Sequence, residues 1–266
     1  ASIMKSISRI ACGLGLVAAL AAALVAGSAS ASVTVGGTRV VYPLENREVT
    51  VKLTNDRAEP SLVQVWMDKG NADAKPGEAS APFVLTPPIF RMDANKSQTL
   101  RMMYTGDALP QDRESVFWLN VLDVPPKTAK VSDTNTNTNT NTNTNTNTLQ
   151  FAFRTRIKVF ARPKGLPGSA DEAPSKVTWK LVPSADNKGY DVKATNPTAY
   201  YVSFSKIGVV GAGQTYTNDI GGMVEPRGTA QFPIKNLKSI PANAHVKYQG
   251  ISDFGGALPF DAPIAQ

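Results

Sequence analysis

From residue 32 onward, apolar side chains recur at every second position in short runs, and each run is stopped by Gly, Pro, Asn or Asp. Side chains alternate across a strand, so a run of this kind buries one face and leaves the other outward. "SVTVGGTRVVYP" alternates up to a proline turn. "EVTVKLTND" directs Val49, Val51 and Leu53 one way and stops at an Asn-Asp pair. "SLVQVWMD" does the same with Leu62 or Val63, Val65 and Met67, and "QTLRMMYT" and "ESVFWLNVLDV" follow. Short strands at this spacing read as an antiparallel sandwich and not as βαβ units. "ARPKGLPGSADEAPS" (161–175) is rich in Pro, Gly and small residues and reads as a connection between domains. Strand signals resume at "KVTWKLVP", "GYDVKATN", "AYYVSFSKIGVVG", "GTAQFPIKN" and "AHVKYQGISDFG". The expected fold class is all-β, with one domain over 32–162 and a second over 163–266.

Residues 1–31 read as a signal peptide. Lys5 and Arg9 precede an apolar run over 14–25, too short to span a bilayer, and Ala29 and Ala31 sit at the small-residue positions that favour cleavage after Ala31. Met4 reads as the initiating residue and the three residues before it as non-native. Cys12, the single cysteine, lies inside this segment. An exported chain cut there carries no disulfide, no cysteine nucleophile and no cysteine metal site. Two of the cations behind the formal net charge of +7 leave with it. No long basic run interleaved with aromatics follows, so nucleic acid is not an expected partner. No later segment is apolar enough to insert stably in a membrane. The alternating Asn-Thr tract, 134–148, has no apolar residue to offset its ordering entropy and is expected to be a mobile loop.

A catalytic reading finds little to stand on. His245 is the sole histidine, which leaves no His-based triad and no multi-His metal site. The glycines of "GGTR", "GVVGAGQ" and "DIGGMV" form no phosphate or dinucleotide fingerprint, and no acid pair stands out. We expect no enzyme, cofactor or metal. Binding chemistry is better supported. In "LQFAFRTRIKVFARP" (149–163) the odd positions give Leu149, Phe151, Phe153, Thr155, Ile157 and Val159, and the even ones Gln150, Ala152, Arg154, Arg156 and Lys158. The apolar face either fills this protein's own core or stands at an edge that a partner covers. An exposed apolar edge is normally suppressed, so retaining one points to strand addition.

Taken in order, "GGTRVVYP", "LTPPIFRM", "LPQDRESVFWLNVLDVPP", "LQFAFRTRIKVFARP", "NPTAYYV" and "SDFGG" resemble the periplasmic chaperones of the chaperone–usher pilus-assembly pathway. The resemblance covers both domains. It implies two immunoglobulin-like sandwiches set in an L or boomerang. It also implies an ATP-independent mechanism in the periplasm. Leu149, Phe151 and Phe153 would plug the groove of a pilus or fimbrial subunit that lacks its last strand, and the complex would pass to an outer-membrane usher. Arg39 and Lys158 would grip the subunit's C-terminal carboxylate. Glu114, Arg162 and Asp253 would form an ion-pair cluster fixing the angle between domains. The Asn-Thr tract departs from the family in its variable loop, where Val131 is the nearest apolar residue. Self-association of the free chain stays open. Two other classes compete. An exported fibre subunit calls for a single incomplete domain, usually with a disulfide. A carbohydrate-binding module or hydrolase calls for an aromatic platform or an acid pair.

Overall fold

The computed structural model describes residues 32–78, 80–126 and 151–265. The signal-peptide reading, the Asn-Thr tract, Val131 and Leu149 fall outside the described residues. Contacts divide the chain after Ser32, and both sandwiches belong to the unit from Val33 on.

Among the described residues nine strands build the first sandwich: β1 (Val33–Val35), β2 (Arg39–Pro43), β3 (Val49–Asn55), β4 (Ser61–Asp68), β5 (Phe83–Thr86), β6 (Ile89–Met92), β7 (Ser97–Tyr104), β8 (Ser115–Val124) and β9 (Phe153–Arg162). One sheet runs β1-β3-β7-β5 and the other β2-β9-β8-β4-β6. The run read from sequence as a single strand, "SVTVGGTRVVYP", is therefore two strands in two sheets. Its break is Gly36-Gly37. A Cβ on Gly36 would lie 3.1 Å from the Lys52 carbonyl, and Gly37 takes φ +130°, which L side chains rarely adopt. The switch carries Arg39 out of the β3 sheet and sets it beside Lys158, in parallel register.

The core residues follow the alternation. Val51 and Leu53 of β3 are buried, as are Val63, Val65 and Met67 of β4, while Leu62 is 51% exposed, which settles the Leu62-or-Val63 alternative. Tyr42, Leu100, Met102 and Leu119 join them in one hydrophobic cluster. A second cluster gathers Trp179, Phe204, Ile207, Val246 and Tyr248. It sits between the sheet β10 (Thr178–Pro183), β11 (Tyr190–Thr195), β15 (Thr229–Phe232) and the sheet β13 (Gln214–Asn218), β12 (Val202–Gly211), β16 (His245–Ile251), β17 (Ala257–Pro263), with β14 (Gly222–Val224) paired to β12. Burying each such side chain contributes roughly 1.5–3 kcal/mol. The segment 161–175 also starts one short helix, α1 (Ala173–Lys176), with Pro174 in its first turn.

Polar contacts join the two sandwiches. Arg162, at the end of β9, donates from Nε to Glu114 Oε1 at 2.6 Å and from Nη1 and Nη2 to both Asp253 oxygens at 2.8 and 2.9 Å. Glu114 also accepts from the Tyr201 N–H at 2.8 Å, and its own N–H donates to the Ala199 carbonyl at 2.9 Å. The Arg162 guanidinium stacks over Tyr200, 5.3 Å from the ring centre. Phe160 and Tyr201 add an aromatic contact at 5.8 Å. Burial raises the Glu114 carboxyl above the ordinary glutamate range, against the opposing pull of Arg162.

Removing the cation leaves a buried carboxylate uncompensated. Arg162→Ala is expected to cost about 3 kcal/mol at pH 7. A carboxyl raised by folding supports the native state below its unfolded pKa and loses that support as pH climbs through the folded value. The deficit measured by urea unfolding should therefore shrink by about 1 kcal/mol or more between pH 7 and pH 4. A deficit that stays constant over that range would contradict the assignment.

Candidate functional site

The site is built on β9. On one side β9 pairs antiparallel with β8, from Asp123↔Phe153 to Ser115↔Ala161. On the other it pairs in parallel with β2, but only from Arg39↔Lys158 to Pro43↔Arg162. Residues 153–157 thus keep one backbone edge with no strand beside it among the described residues.

The odd face of β9 divides at the same point. Ile157 and Val159 are buried in the first sandwich's own core. Phe153 is 43% exposed and Phe151 59%. The strand begins at Phe153, so Phe151 lies just before it, and Leu149 is outside the described residues. The Arg57 guanidinium lies over Phe153, 5.5 Å from its ring centre. Arg57 is held in turn by Asp123, which also accepts the Val33 N–H, both at 3.0 Å.

The even face is basic, as its sequence implies, but it is not a plain solvated face. The Arg154 guanidinium lies 4.8 Å from the Trp66 ring centre, and that of Arg156 lies 4.6 Å from Trp118. Arg156 forks onto Asp68 at 2.9 and 2.6 Å, and Arg154 donates twice to Asn120 Oδ1 at 3.0 and 2.6 Å. Burial works against the Asp68 carboxylate. Arg156, the Asn120 amide and the Gly70 N–H outweigh it and hold the carboxyl below its ordinary value. Reading the sequence for its apolar face misses these four partners. A signal is present: "VWMD" and "FWLN" each place an aromatic and a polar residue two apart, the spacing of Arg154 and Arg156.

Arg39 and Lys158 are brought together at the end of the free edge. They are register partners on adjacent parallel strands, so their side chains share a face. Burial lowers both from their ordinary values, and the charge of Arg39 lowers Lys158 further. The Arg39 guanidinium lies 5.7 Å from the Phe160 ring centre and makes one long bond, 3.4 Å, to the Ile251 carbonyl. Its Nε is buried without a hydrogen-bond partner. Neither cation enters any ion pair within 4.0 Å found among the described residues. Asp253 is near enough to act on Arg39 electrostatically, but both its oxygens are engaged by Arg162. Two half-buried cations without a counter-charge make a receptor for an anion.

Among the described residues there is no cluster of His, Cys, Asp or Glu able to hold a metal, and no helix long and apolar enough to cross a membrane. His245 sits on β16, 3.6 Å from Asp261, away from β9.

Comparison with known proteins gives the geometry its relatives. Residues 32–167 match the family described as pili and flagellar-assembly chaperone, PapD N-terminal domain, and residues 172–262 match pili assembly chaperone PapD, C-terminal domain. The chain is 40% identical over 238 residues to the probable fimbrial chaperone YadV of Escherichia coli K12, covering 89% of this chain and 92% of that one. The crystal structure of YadV superposes with a TM-score of 0.72 at 38% identity, over 88% of this chain and all of the other. The chaperone protein FimB/FhaD of Bordetella pertussis is 40% identical over 256 residues, 94% of this chain and 96% of its own. A structure of the Salmonella enterica SafA pilin in complex with the SafB chaperone matches with a TM-score of 0.66 at 25% identity, over 88% of this chain and 96% of that chain. Two immunoglobulin-like domains, the β9 edge and these relatives agree: the chain belongs to the pilus and fimbrial assembly chaperones of the chaperone–usher pathway.

Proposed function

We propose that this chaperone works in the periplasm, lends the first half of β9 to an unfinished pilus subunit, and delivers the subunit to an outer-membrane usher. One observation carries the reading. The half of β9 whose second edge has no strand among the described residues begins at the exposed Phe153, just after the exposed Phe151, and it ends at a pair of cations that enter no ion pair among those residues. A subunit strand laid along residues 153–157 would gain backbone hydrogen bonds, a sink for Phe151 and Phe153, and a carboxylate seat at Arg39 and Lys158. Leu149 shares the odd parity of Phe151 and Phe153 in the sequence. That SafB is seen with a pilin supports a client of this class. The Glu114–Arg162–Asp253 cluster would set the angle between domains divided at 162/163 and so fix where the second sandwich stands relative to the seat.

The energies divide the work. Full burial of a phenylalanine contributes roughly 1.5–3 kcal/mol. Phe151 and Phe153 are already about half covered, so each adds on the order of 1 kcal/mol on docking. A charge-assisted hydrogen bond contributes on the order of 1.5–3 kcal/mol, and here the cations are already partly desolvated before the anion arrives. The cations then weigh as much as the plugs, and they fix register as well.

Two substitutions test the reading, scored by the polypeptide that co-purifies with the unaltered chain from the periplasm. Lys158→Ala should abolish recovery of that complex. The free protein should lose no more than about 0.5 kcal/mol, because folding already disfavours the ammonium it removes. Complex yield equal to that of the unaltered chain at native expression would contradict the anchor. Phe151→Asp touches a residue outside the strand and should leave the thermal midpoint within about 2 °C. It should nevertheless cut complex recovery at least about tenfold. Unchanged recovery would remove the plug from the account.

A further inference from the structure

The free half of β9 poses a physical problem. Among the described residues no strand lies along its second edge and Phe153 stands outside the buried core, so the β8 ladder, the Arg57 guanidinium over Phe153 and the even face are what hold it. Edge strands held on one side fray, and a frayed strand would present its side chains in many registers.

The even face supplies a closed polar network. Asp68 is 1% exposed and Asn120 fully buried. Asn120 donates to Asp68 Oδ2 at 2.8 Å, and the Gly70 N–H donates to Asp68 Oδ1 at 2.7 Å. Arg156 takes both oxygens of Asp68, and Arg154 takes the remaining oxygen of Asn120. Trp66 and Trp118 form the floor, and Trp66 is locked by its Nε1–H to the Ala74 carbonyl at 3.0 Å. Three adjacent strands, β4, β8 and β9, are tied across one face. Isolated surface ion pairs contribute little. This one is anchored on a buried carboxylate and satisfies the planar guanidinium by fork and by stacking together, which a lysine cannot do.

We propose that Arg154 and Arg156, acting through Asn120 and Asp68 on the Trp66–Trp118 floor, are positioning residues. They hold the half of β9 that β2 leaves uncovered flat, so that the free edge, Phe151 and Phe153 stand in a single register before a client arrives. The inference rests on the reading of β9 as a donor strand. It supplies the preorganisation that such a strand needs, since ordering at the moment of binding subtracts from affinity.

The test is the charge-conserving double variant Arg154→Lys/Arg156→Lys in the chain 32–266, with Arg154→Lys alone as the milder form should the double variant fold poorly. Amide hydrogen exchange of the free protein needs no client and reads positioning directly. Exchange over 153–157 should accelerate at least about tenfold, while β3, β7 and the second sandwich change by less than about twofold. The association rate with the polypeptide co-purified from the periplasm should fall at least about fivefold. Unchanged exchange over 153–157 would overturn the proposal, as would acceleration spread evenly over the first sandwich, the mark of a general stabilising role. Faster exchange with an unchanged association rate would overturn the presenting role. The donor reading stands or falls separately, on Lys158→Ala and Phe151→Asp.

Discussion

The structure turns on a mismatch of length between two neighbouring strands. β9 is paired with β8 along nearly all of its ten residues, yet β2 covers only its last five. Backbone N–H and C=O groups without a strand partner are a template for another chain, and native sheets usually hide them. Here the uncovered stretch coincides with large apolar side chains above it and a clamped basic face below. Were β2 extended by a few more residues of pairing, the edge would close and the chain would be an ordinary sandwich. The break at Gly36-Gly37 prevents that, because it sends the residues before Arg39 into the opposite sheet.

The same break explains the cation pair. Bringing two positive groups together in a half-buried place costs free energy, and folding lowers both from their usual values. Asp253 could have relieved the cost at Arg39, but both its oxygens are engaged by Arg162. The result is a division of charge at the junction of the sandwiches. One cation is ion-paired to two carboxylates and joins them, and two enter no ion pair among the described residues. A stability maximum would have paired all three, so the unpaired two are a departure from it of the kind that marks a functional place.

Much of this was legible in the sequence, and the remainder was hidden for identifiable reasons. Alternation located the buried faces of β3 and β4 and the strands β7 and β8, because period two is a direct readout of side-chain direction. It could not tell that one alternating run, 32–43, enters two sheets, since pattern fixes which face is buried and says nothing of which strand lies alongside. β5, β6, β13, β14 and β17 escaped it: β5, β6 and β14 are only three or four residues long, "QTYTN" has one large apolar residue, and "ALPFDAP" carries two prolines that suit an edge strand. The split of the β9 stripe between its own core and the exterior was posed by the sequence and answered only by the burial of Ile157 and Val159 against the exposure of Phe151 and Phe153. Arg39 had no local signal at all. Only kinship with the assembly chaperones singled it out, and the parallel register with Lys158 gives that choice a geometry.

Everything rests on where a client's missing strand lies, and a crystal structure of the chain bound to its co-purified subunit decides it. A new strand should be hydrogen-bonded along residues 153–157, with Phe151 and Phe153 covered and a terminal carboxylate at about 3 Å from both Arg39 and Lys158. A client held on another surface, with that edge bare and both cations still unpaired, would refute the donor-strand mechanism.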